Sequence, residues 1–297
     1  MARVLVAGMA VADFIFQVDR MPARAEKYRA RDARVAGGGC AANAAVAVVR
    51  QGGEALLAAR LGGDQVGDLI LAGLAAEGVD TRLVRRAPGG MSSFSSIYVD
   101  AAGERQIMNF RGSGLPETAD WLTQTHGAEA VLADNRWPAL TRKVLALART
   151  AGIPGIVDAE APVTPDDLTG ASHIAFSMQG LADFATGAAA ADALRLARGE
   201  TGAWVCVTDG ASGVLFLDGD TLAHVPAIAI RPVDTLAAGD IWHGAFALLL
   251  AEGAPERQAI IHANATATLK CLAFGGREGC PDRAATGNFL KENEQCN

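Results

Sequence analysis

Two carboxylates flank a run of small residues in the stretch VDTLAAGDIWHGAFALLL, residues 233–250. The second carboxylate, Asp240, directly follows Ala237, Ala238 and Gly239, and an apolar run begins after it. This pattern predicts a helix whose N-terminus carries the small residues. Free N–H groups and the helix dipole attract an anion there, and small side chains let the anion approach the backbone.

A carboxylate beside such an N-terminus suits phosphoryl transfer to an alcohol. Asp240 would accept the proton of the alcohol while the N–H groups hold the charge on the transferring group. A simpler interpretation is that Asp240 only caps a helix among small turn residues, which is common. The spacing alone leaves both interpretations open.

The elements around this motif predict an α/β fold. RVLVAG indicates a buried strand, and GGGCAANAAVAVVRQG indicates a glycine turn that opens an alanine-rich helix. Further along, strands and helices alternate from AVLAD to GVLFLDG. Such alternation is typical of a doubly wound, mostly parallel sheet with helices on both faces. We expect a single domain over residues 1–297.

Two polar segments interrupt this alternation, at about residues 13–35 and 92–112. Both alternate loosely between apolar and polar residues, which favours exposed strands, and Gly103 predicts the turn of the second. Inserts between α/β units favour a lid over the C-terminal edge of the sheet, although plain surface hairpins would give the same pattern. Their apolar strand edges also predict a homodimer formed through the lid.

Composition and absent motifs narrow the class of protein. The net charge is −7 and aromatic residues make up 5%, which gives no support to nucleic-acid binding. The five cysteines are scattered without a CxxC pair, so a reducing cytoplasm is expected rather than a disulfide or zinc framework. No apolar run is long enough for a membrane span. The absence of GxxxxGK[ST], HExxH and GxGxxG argues against Walker-type NTPases, metallohydrolases and dinucleotide enzymes.

Several motifs resemble those of the ribokinase-like (PfkB) family of sugar kinases. DTLAAGD is similar to the C-terminal signature of that family, in which the last Asp is the catalytic base and the small residues form the anion hole. GGGCAANAAV is similar to the N-terminal signature, which binds sugar hydroxyls, and GMAVAD ends in an aspartate where the family has a hydroxyl acceptor. The resemblance implies a ribokinase-like fold and a sugar site at Asp13, Gly38, Gly39 and Asn43.

The resemblance also implies a nucleotide site and its cofactors. VTDGASG is similar to the nucleotide loop of the family, and HANATATLK to the helix beside the adenine. These motifs assign ATP to Thr208, Gly210, Gly213 and Asn264. Mg²⁺ is implied as the cofactor of ATP, and Asp234 matches a position where some relatives hold a monovalent cation, K⁺.

One departure from the family concerns magnesium. Family members usually carry an Asn-x-x-Glu pair before a TG in the middle of the chain, whereas FSMQGLADFATG places Met178 and Leu181 there. Neither side chain binds a hydrated Mg²⁺. The usual outer-shell arrangement of Mg²⁺ is therefore in question, while Asp240 and the anion hole are unaffected.

Lys27, Asn109 and Arg136 are predicted to reach the end of the sugar that lies opposite the reacting hydroxyl. Relatives often carry an acid at the position of Arg136, so a cation there indicates an anionic substrate. EKYRARD, VLADNRW and LKCLAFGGREGCPD are most similar to the sulfofructose kinase branch, which phosphorylates C1 of 6-deoxy-6-sulfofructose. A sugar phosphate of the fructose 6-phosphate or tagatose 6-phosphate type would suit the same residues. A neutral sugar such as fructose or ribose is a further alternative.

The sequence thus predicts a cytoplasmic, ATP-dependent carbohydrate kinase acting on an anionic ketose. The alternative from another class is a sugar- or nucleotide-binding regulator on the same fold, which the missing Asn-x-x-Glu pair would fit. The base Asp240 argues against a regulator, because a protein that only binds needs no base. His243, near Asp240 in the sequence, is expected to be a packed or surface histidine rather than a second base.

Overall fold

The computed structural model describes residues 1–101 and 104–294. Within these ranges the strands are β1 (Arg3–Ala7), β2 (Val11–Gln17), β3 (Asp32–Gly38), β4 (Glu54–Gly62), β5 (Val84–Ala87), β6 (Phe94–Val99), β7 (Arg105–Phe110), β8 (Ala130–Asp134), β9 (Gly155–Ala159), β10 (His173–Ser177), β11 (Trp204–Thr208), β12 (Val214–Asp218) and β13 (Thr221–Val225). The helices are α1 (Cys40–Arg50), α2 (Gln65–Ala76), α3 (Pro138–Ala151), α4 (Pro165–Leu168), α5 (Met178–Phe184), α6 (Ala190–Thr201), α7 (Ala238–Ala251), α8 (Glu256–Lys270) and α9 (Arg283–Glu294). Gly103, where a hairpin turn is predicted, and Cys296 lie outside the described residues.

A nine-stranded sheet forms the centre of the molecule, in the order β13-β12-β11-β10-β9-β8-β1-β4-β5. All neighbours from β11 to β5 pair in parallel, whereas β12 and β13 pair antiparallel at one edge. Every residue of β8 and β9 is buried, as expected for strands covered on both faces. The predicted doubly wound, mostly parallel sheet is confirmed.

The lid is a separate four-stranded sheet in the order β3-β2-β6-β7. Its strands come from the two polar segments of the sequence, and β2 pairs with β6 in parallel while the outer pairs are antiparallel. The predicted β lid is therefore confirmed. Its edge strand β7 is exposed along nearly its whole length, with Ile107 55% and Met108 71% exposed.

Helices α1 and α7 pack with their backbones in contact. A Cβ at Gly244 of α7 would lie 2.3 Å from the carbonyl oxygen of Ala44 and 2.9 Å from the Cβ of Ala47, both on α1. Larger side chains at these positions would force the helices apart, which explains the alanine-rich composition of α1. The contact joins the two helices whose first turns carry Asn43 and Asp240.

The sequence pattern gave no indication of β5 or β13. Both are short, and the polar residues of VRRA and TLAHV hide the alternation that marks longer strands. Among the described residues, no helix has both the length and the apolar character that crossing a bilayer requires.

Candidate active site

The N-terminus of α7 has the form that its motif predicts. Ala237 caps the helix in the left-handed region, with φ 64° and ψ 10°, and Asp240 lies in the first turn. A Cβ added at Gly239 would meet no heavy atom within 4 Å, so the space in front of this turn is open. An anion therefore has access to the N–H groups of the first turn without displacing a side chain.

The carboxylate of Asp240 is held by a side chain of α1. Asn43 donates from Nδ2 to Oδ2 of Asp240 at 2.7 Å. Burial raises the pKa of Asp240 to about 6; the hydrogen bond from Asn43 opposes the rise, and the negative charges of Glu160 and Asp134 add to it. Such a carboxylate is ionised at neutral pH yet takes up a proton more readily than a surface aspartate, as a general base requires.

A second aspartate, Asp134 at the end of β8, accepts hydrogen bonds from three neighbouring backbone segments. Its Oδ2 accepts hydrogen bonds from the N–H groups of Met9 (2.7 Å) and Ala41 (3.2 Å), and its Oδ1 accepts one from the N–H of Arg136 (2.9 Å). Because α1 has Gly39 at its N-cap, Asp134 supplies the acceptor that a capping side chain would otherwise provide. Sequence analysis gave this residue no role, although an aspartate that ends an apolar strand was a usable signal.

The sugar-site residues taken from the N-terminal signature come together at the base of the lid. A Cβ at Gly38 would lie 2.1 Å from Oδ2 of Asp13, and one at Gly39, where φ is 92°, would lie 2.5 Å from the carbonyl oxygen of Met9. Both positions therefore exclude any larger residue. Asp13 itself is 9% exposed and lies on β2 of the lid.

Arg277 joins this group, and sequence analysis missed it. The side chain is 4% exposed and lies against Gly37, where a Cβ would be 1.8 Å from the guanidinium carbon. Burial raises the pKa of Asp13, while a hydrogen bond with Ser95 and the charge of Arg277 lower it. Gly37 of the GGGC motif thus makes room for a buried cation.

Arg136 and Asn109 line one cavity of about 360 Å³, between the β1–β2 turn and the lid. Arg60 and Arg111, which sequence analysis also missed, line the same cavity. Arg136 donates from Nη2 to Oε2 of Glu160 at 2.6 Å, so part of the hydrogen-bonding capacity of its guanidinium is already used. Within the described residues, Arg60 and Arg111 form no ion pair, although the charges of Glu117 and Asp134 act on Arg60.

Two contacts fix the direction of the side chains in this wall. Arg60 lies over the ring of Trp137, 4.6 Å from its centroid, and Asn109 donates from Nδ2 to Oγ of Ser95 at 3.1 Å. Lys27 does not belong to the wall: it is exposed in the loop between β2 and β3 and is absent from the described lining of the cavity. A long loop without periodic pattern leaves the direction of such a side chain undetermined by sequence.

The four predicted nucleotide-site residues line a second cavity, of about 310 Å³, which Gly239 also borders. These residues are Thr208, Gly210, Gly213 and Asn264. The cavity thus runs from the loop after β11 to the first turn of α7. The cavity therefore adjoins the residues of the predicted anion hole, Ala238 and Gly239.

Asn264 lies in the wall of this cavity and is hydrogen-bonded to Trp242, another residue of the wall. Its Oδ1 accepts a hydrogen bond from Nε1 of Trp242 at 2.8 Å, and its Nδ2 donates to the carbonyl oxygens of Val225 and Pro226 at 3.3 Å. Both polar ends of the amide are therefore in use. The residue fixes the shape of the pocket, and the signal that sequence analysis used for it came from resemblance alone.

The two positions of the magnesium motif lie on α5. Leu181 is 2% exposed and packs in the hydrophobic core, whereas Met178 is 39% exposed. Neither offers an oxygen. Asp158, near the end of β9 and 4% exposed, has a carboxylate oxygen within 4.8 Å of ligand atoms of Asp240 and Cys40, and the charge of Glu160 raises the pKa of Asp240.

His243 is a packed histidine, as expected. It is 3% exposed, and burial lowers its pKa to about 4, so the ring is neutral at physiological pH. Its Nε2 lies 3.5 Å from Oδ1 of Asp158, beneath the site. Asp234, in contrast, is engaged by Lys270 and by three backbone N–H groups.

Comparison with known proteins finds relatives over nearly the whole length of the chain. The model of the pfkB family carbohydrate kinases matches residues 1–283. Ribokinase of Bacillus subtilis (strain 168) is 28% identical over 298 residues, which cover 98% of this chain and 100% of that protein. The crystal structure of a putative ribokinase from Agrobacterium tumefaciens is 36% identical, with a TM-score of 0.93 over 99% of both chains. Arabidopsis thaliana ribokinase complexed with ribose and ATP is 23% identical, and its TM-score of 0.86 over 98% of this chain and 99% of that one shows a shared fold.

Proposed function

The chain belongs to the pfkB family of carbohydrate kinases, and we propose that within this family it phosphorylates the C1 hydroxyl of an anionic ketose, best represented by 6-deoxy-6-sulfofructose. That it is an ATP-dependent carbohydrate kinase follows from the family and the ribokinase relatives. The choice of an anionic sugar is carried by one observation: Arg60, Arg111 and Arg136 line the cavity on the sugar side of the site.

Charge balance supports the anionic substrate. Glu160 forms an ion pair with Arg136, whereas Arg60 and Arg111 form no ion pair among the described residues. A sulfonate at C6 lies at the opposite end of the ketose from the reacting C1 hydroxyl. It would accept hydrogen bonds from the planar guanidinium groups and from the amide of Asn109.

Two other substrate classes compete with this proposal. A sugar phosphate carries a comparable anion and would use the same arginines. A neutral sugar such as ribose is favoured by the names of the relatives, but it would leave the charges of the cavity wall without a partner on the substrate.

The chemical step follows from the geometry around Asp240. In this proposal Asp13, Asn43 and the backbone at Gly39 orient the sugar hydroxyls. Asp240 accepts the proton of the attacking hydroxyl, and the N–H groups at residues 237–239 hold the charge on the transferring phosphoryl group. ATP lies in the cavity that Thr208 and its neighbours border.

Magnesium fits the site at carboxylates other than those of the usual motif. Asp158 and Glu160 present the oxygen donors that Mg²⁺ prefers, and Oδ1 of Asp158 is buried without a hydrogen-bond partner among the described residues. These two residues would hold the hydrated ion. When bound, Mg²⁺ neutralises charge on the phosphate oxygens of ATP.

The test is an initial-rate panel of five sugars: 6-deoxy-6-sulfofructose, fructose 6-phosphate, tagatose 6-phosphate, fructose and ribose. We expect one anionic sugar to be preferred. Arg111→Ala and Arg136→Ala should each lower kcat/KM for that sugar by about tenfold or more, a loss of about 1.4 kcal/mol, and change the rates with neutral sugars little.

Arg142→Ala is the matched control, because Arg142 is an exposed arginine on α3 outside the cavity. It should leave every rate unchanged. Preference for ribose, with the cavity variants as silent as the control, would mean a general sugar kinase. Lys27→Ala, tested in parallel, shows whether the exposed lysine contributes at all.

A non-catalytic regulator is the alternative that the sequence left open, and the family and the ribokinase relatives argue against it. The Met178 and Leu181 replacements suit it, but the pairing of Asn43 with a base whose pKa is about 6 supports catalysis. Absence of turnover with every sugar of the panel, together with tight binding of one of them, would favour the regulator.

A further inference from the structure

Lys270, the last residue of α8, is buried completely, with 0% of its side chain exposed. A lysine in such a place is uncommon, because removing an ammonium from water is costly unless a partner compensates it. Burial lowers the pKa of Lys270, and the charge and hydrogen bond of Asp234 oppose this shift. The buried charge therefore depends on Asp234.

The ammonium contacts Asp234 at two oxygens. Nζ donates to the backbone carbonyl oxygen of Asp234 at 2.8 Å and lies 3.3 Å from its Oδ2. A carbonyl oxygen and a carboxylate oxygen of one residue are also the kind of donors that a monovalent metal ion takes. Here both of these donors face an ammonium from within the protein.

Asp234 connects Lys270 to the loop that precedes the anion hole. Its Oδ1 accepts a hydrogen bond from the N–H of Leu236 at 2.9 Å, and its Oδ2 accepts from the N–H groups of Gly275 (3.1 Å) and Gly276 (3.0 Å). Leu236 directly precedes Ala237, whose left-handed backbone starts α7. The ammonium, the carboxylate and the loop thus form one connected unit.

A K⁺ ion beside Asp234, which the resemblance implies, does not fit these residues. Three backbone N–H groups and one ammonium already surround the carboxylate, and all four present positive charge to an approaching ion. We infer that Lys270 is a built-in monovalent cation, a positioning residue that holds the loop before α7 so that catalysis needs no K⁺. The inference holds for whichever sugar is the substrate.

The test compares cations at constant ionic strength, with tetramethylammonium chloride replaced stepwise by KCl or NaCl. Wild-type kcat should change less than about twofold across the series. In Lys270→Ala, kcat should fall by about tenfold or more with a smaller change in KM for the sugar, because the loop and not the sugar site loses its restraint. K⁺ or ethylammonium, which fill the vacated space with a cation, should restore most of the lost rate.

A thermal-shift series gives a readout without any sugar, so it stands even if the proposed substrate is wrong. K⁺ should raise the Tm of Lys270→Ala and leave that of the wild type unchanged. Lys270→Met keeps most of the volume and removes the charge, which covers the case in which the alanine variant does not fold. Lys291→Ala, at an exposed lysine of α9, is the control.

Three results would overturn the inference. One is a wild-type enzyme that K⁺ stimulates more than about fivefold. Another is a folded Lys270→Ala or Lys270→Met variant that is fully active without K⁺. The third is a folded variant whose lost rate no cation restores, since Lys270 would then serve packing alone.

Discussion

Asn43 and Asp240 lie on different helices and are joined by one hydrogen bond of 2.7 Å, from Nδ2 to Oδ2. The other polar atom of the amide, Oδ1 of Asn43, is buried and has no partner among the described residues. An acceptor left open beside the predicted base is suited to accept a hydrogen bond from a sugar hydroxyl. We therefore expect the pair to orient the base and the alcohol at the same time.

Asp240→Asn should abolish turnover and stabilise the protein. The amide has no basic oxygen, so we expect kcat to fall by about 10³-fold or more. Because folding raises the pKa of Asp240 from its ordinary 3.8 to about 6, the folded state favours the protonated form, and this stabilisation is lost as the pH rises through about 6. At pH 7.5 the variant should thus be more stable by up to about 3 kcal/mol, and at pH 4 by much less. Urea unfolding at both pH values measures this, and equal differences at the two would contradict it.

The pH dependence of kcat/KM should show an acid limb near pH 6. Below that pH Asp240 is protonated and accepts no proton, so the rate should fall about tenfold for each further pH unit. Asn43→Ala removes the hydrogen bond that lowers the pKa, and its acid limb should move to higher pH. An acid limb at the same pH in both proteins would show that Asn43 does not affect the pKa of Asp240.

Gly239→Ala should harm the reaction without harming the fold. Its Cβ meets no heavy atom within 4 Å and enters the open space in front of α7, where we expect the phosphoryl group to lie. We expect Tm within a few degrees of the wild type and a strong loss of kcat. Gly199→Ala is the matched control, since it also meets nothing within 4 Å but lies on α6. Equal activity of the two variants would place the phosphoryl group elsewhere.

Asn264→Ala should weaken ATP binding and stability together. It leaves the indole N–H of Trp242 without its acceptor in the pocket wall, which costs about 1–3 kcal/mol. KM for ATP should rise while KM for the sugar changes little. Isothermal titration with a non-hydrolysable ATP analogue and a thermal melt check both parts, and an unchanged KM for ATP would remove Asn264 from the nucleotide pocket.

A homodimer through the lid is expected from strand β7. This edge strand exposes apolar side chains, among them Ile107 and Met108, which a second copy would cover. Sedimentation velocity should show a dimer that Ile107→Lys shifts toward monomer. Leu196→Lys, at an exposed leucine of α6, should have no such effect. A wild type that sediments as a monomer at micromolar concentration would contradict the expectation.

The sequence predicted those parts of the molecule that local pattern encodes. Alternation of strands and helices gave the sheet, the polar inserts gave the lid, and the run before Asp240 gave the start of α7. These features depend on neighbours in the chain, so periodicity and small residues reveal them.

The residues that sequence analysis missed act through contacts between distant segments. Arg60 lies within a strand and Arg111 follows another, and only the fold brings them into one cavity. Lys270 and Arg277 look like ordinary charges at a helix end and in a loop, and their burial is set by segments far along the chain. Lys27 is the opposite case. Its charge predicted contact with an anion, but a side chain in a long loop has no position that the sequence pattern determines.

The contact at Gly244 restricts which positions of the protein can be substituted. Asp240 and Asn43 lie on α7 and α1, whose backbones are in contact at Gly244, so no larger residue is tolerated at that position. Arg60, Arg111 and Arg136 lie instead on a strand and in loops, outside this contact between helices. We therefore expect a directed-evolution library of these cavity residues to change the preferred sugar while the phosphoryl-transfer step is kept.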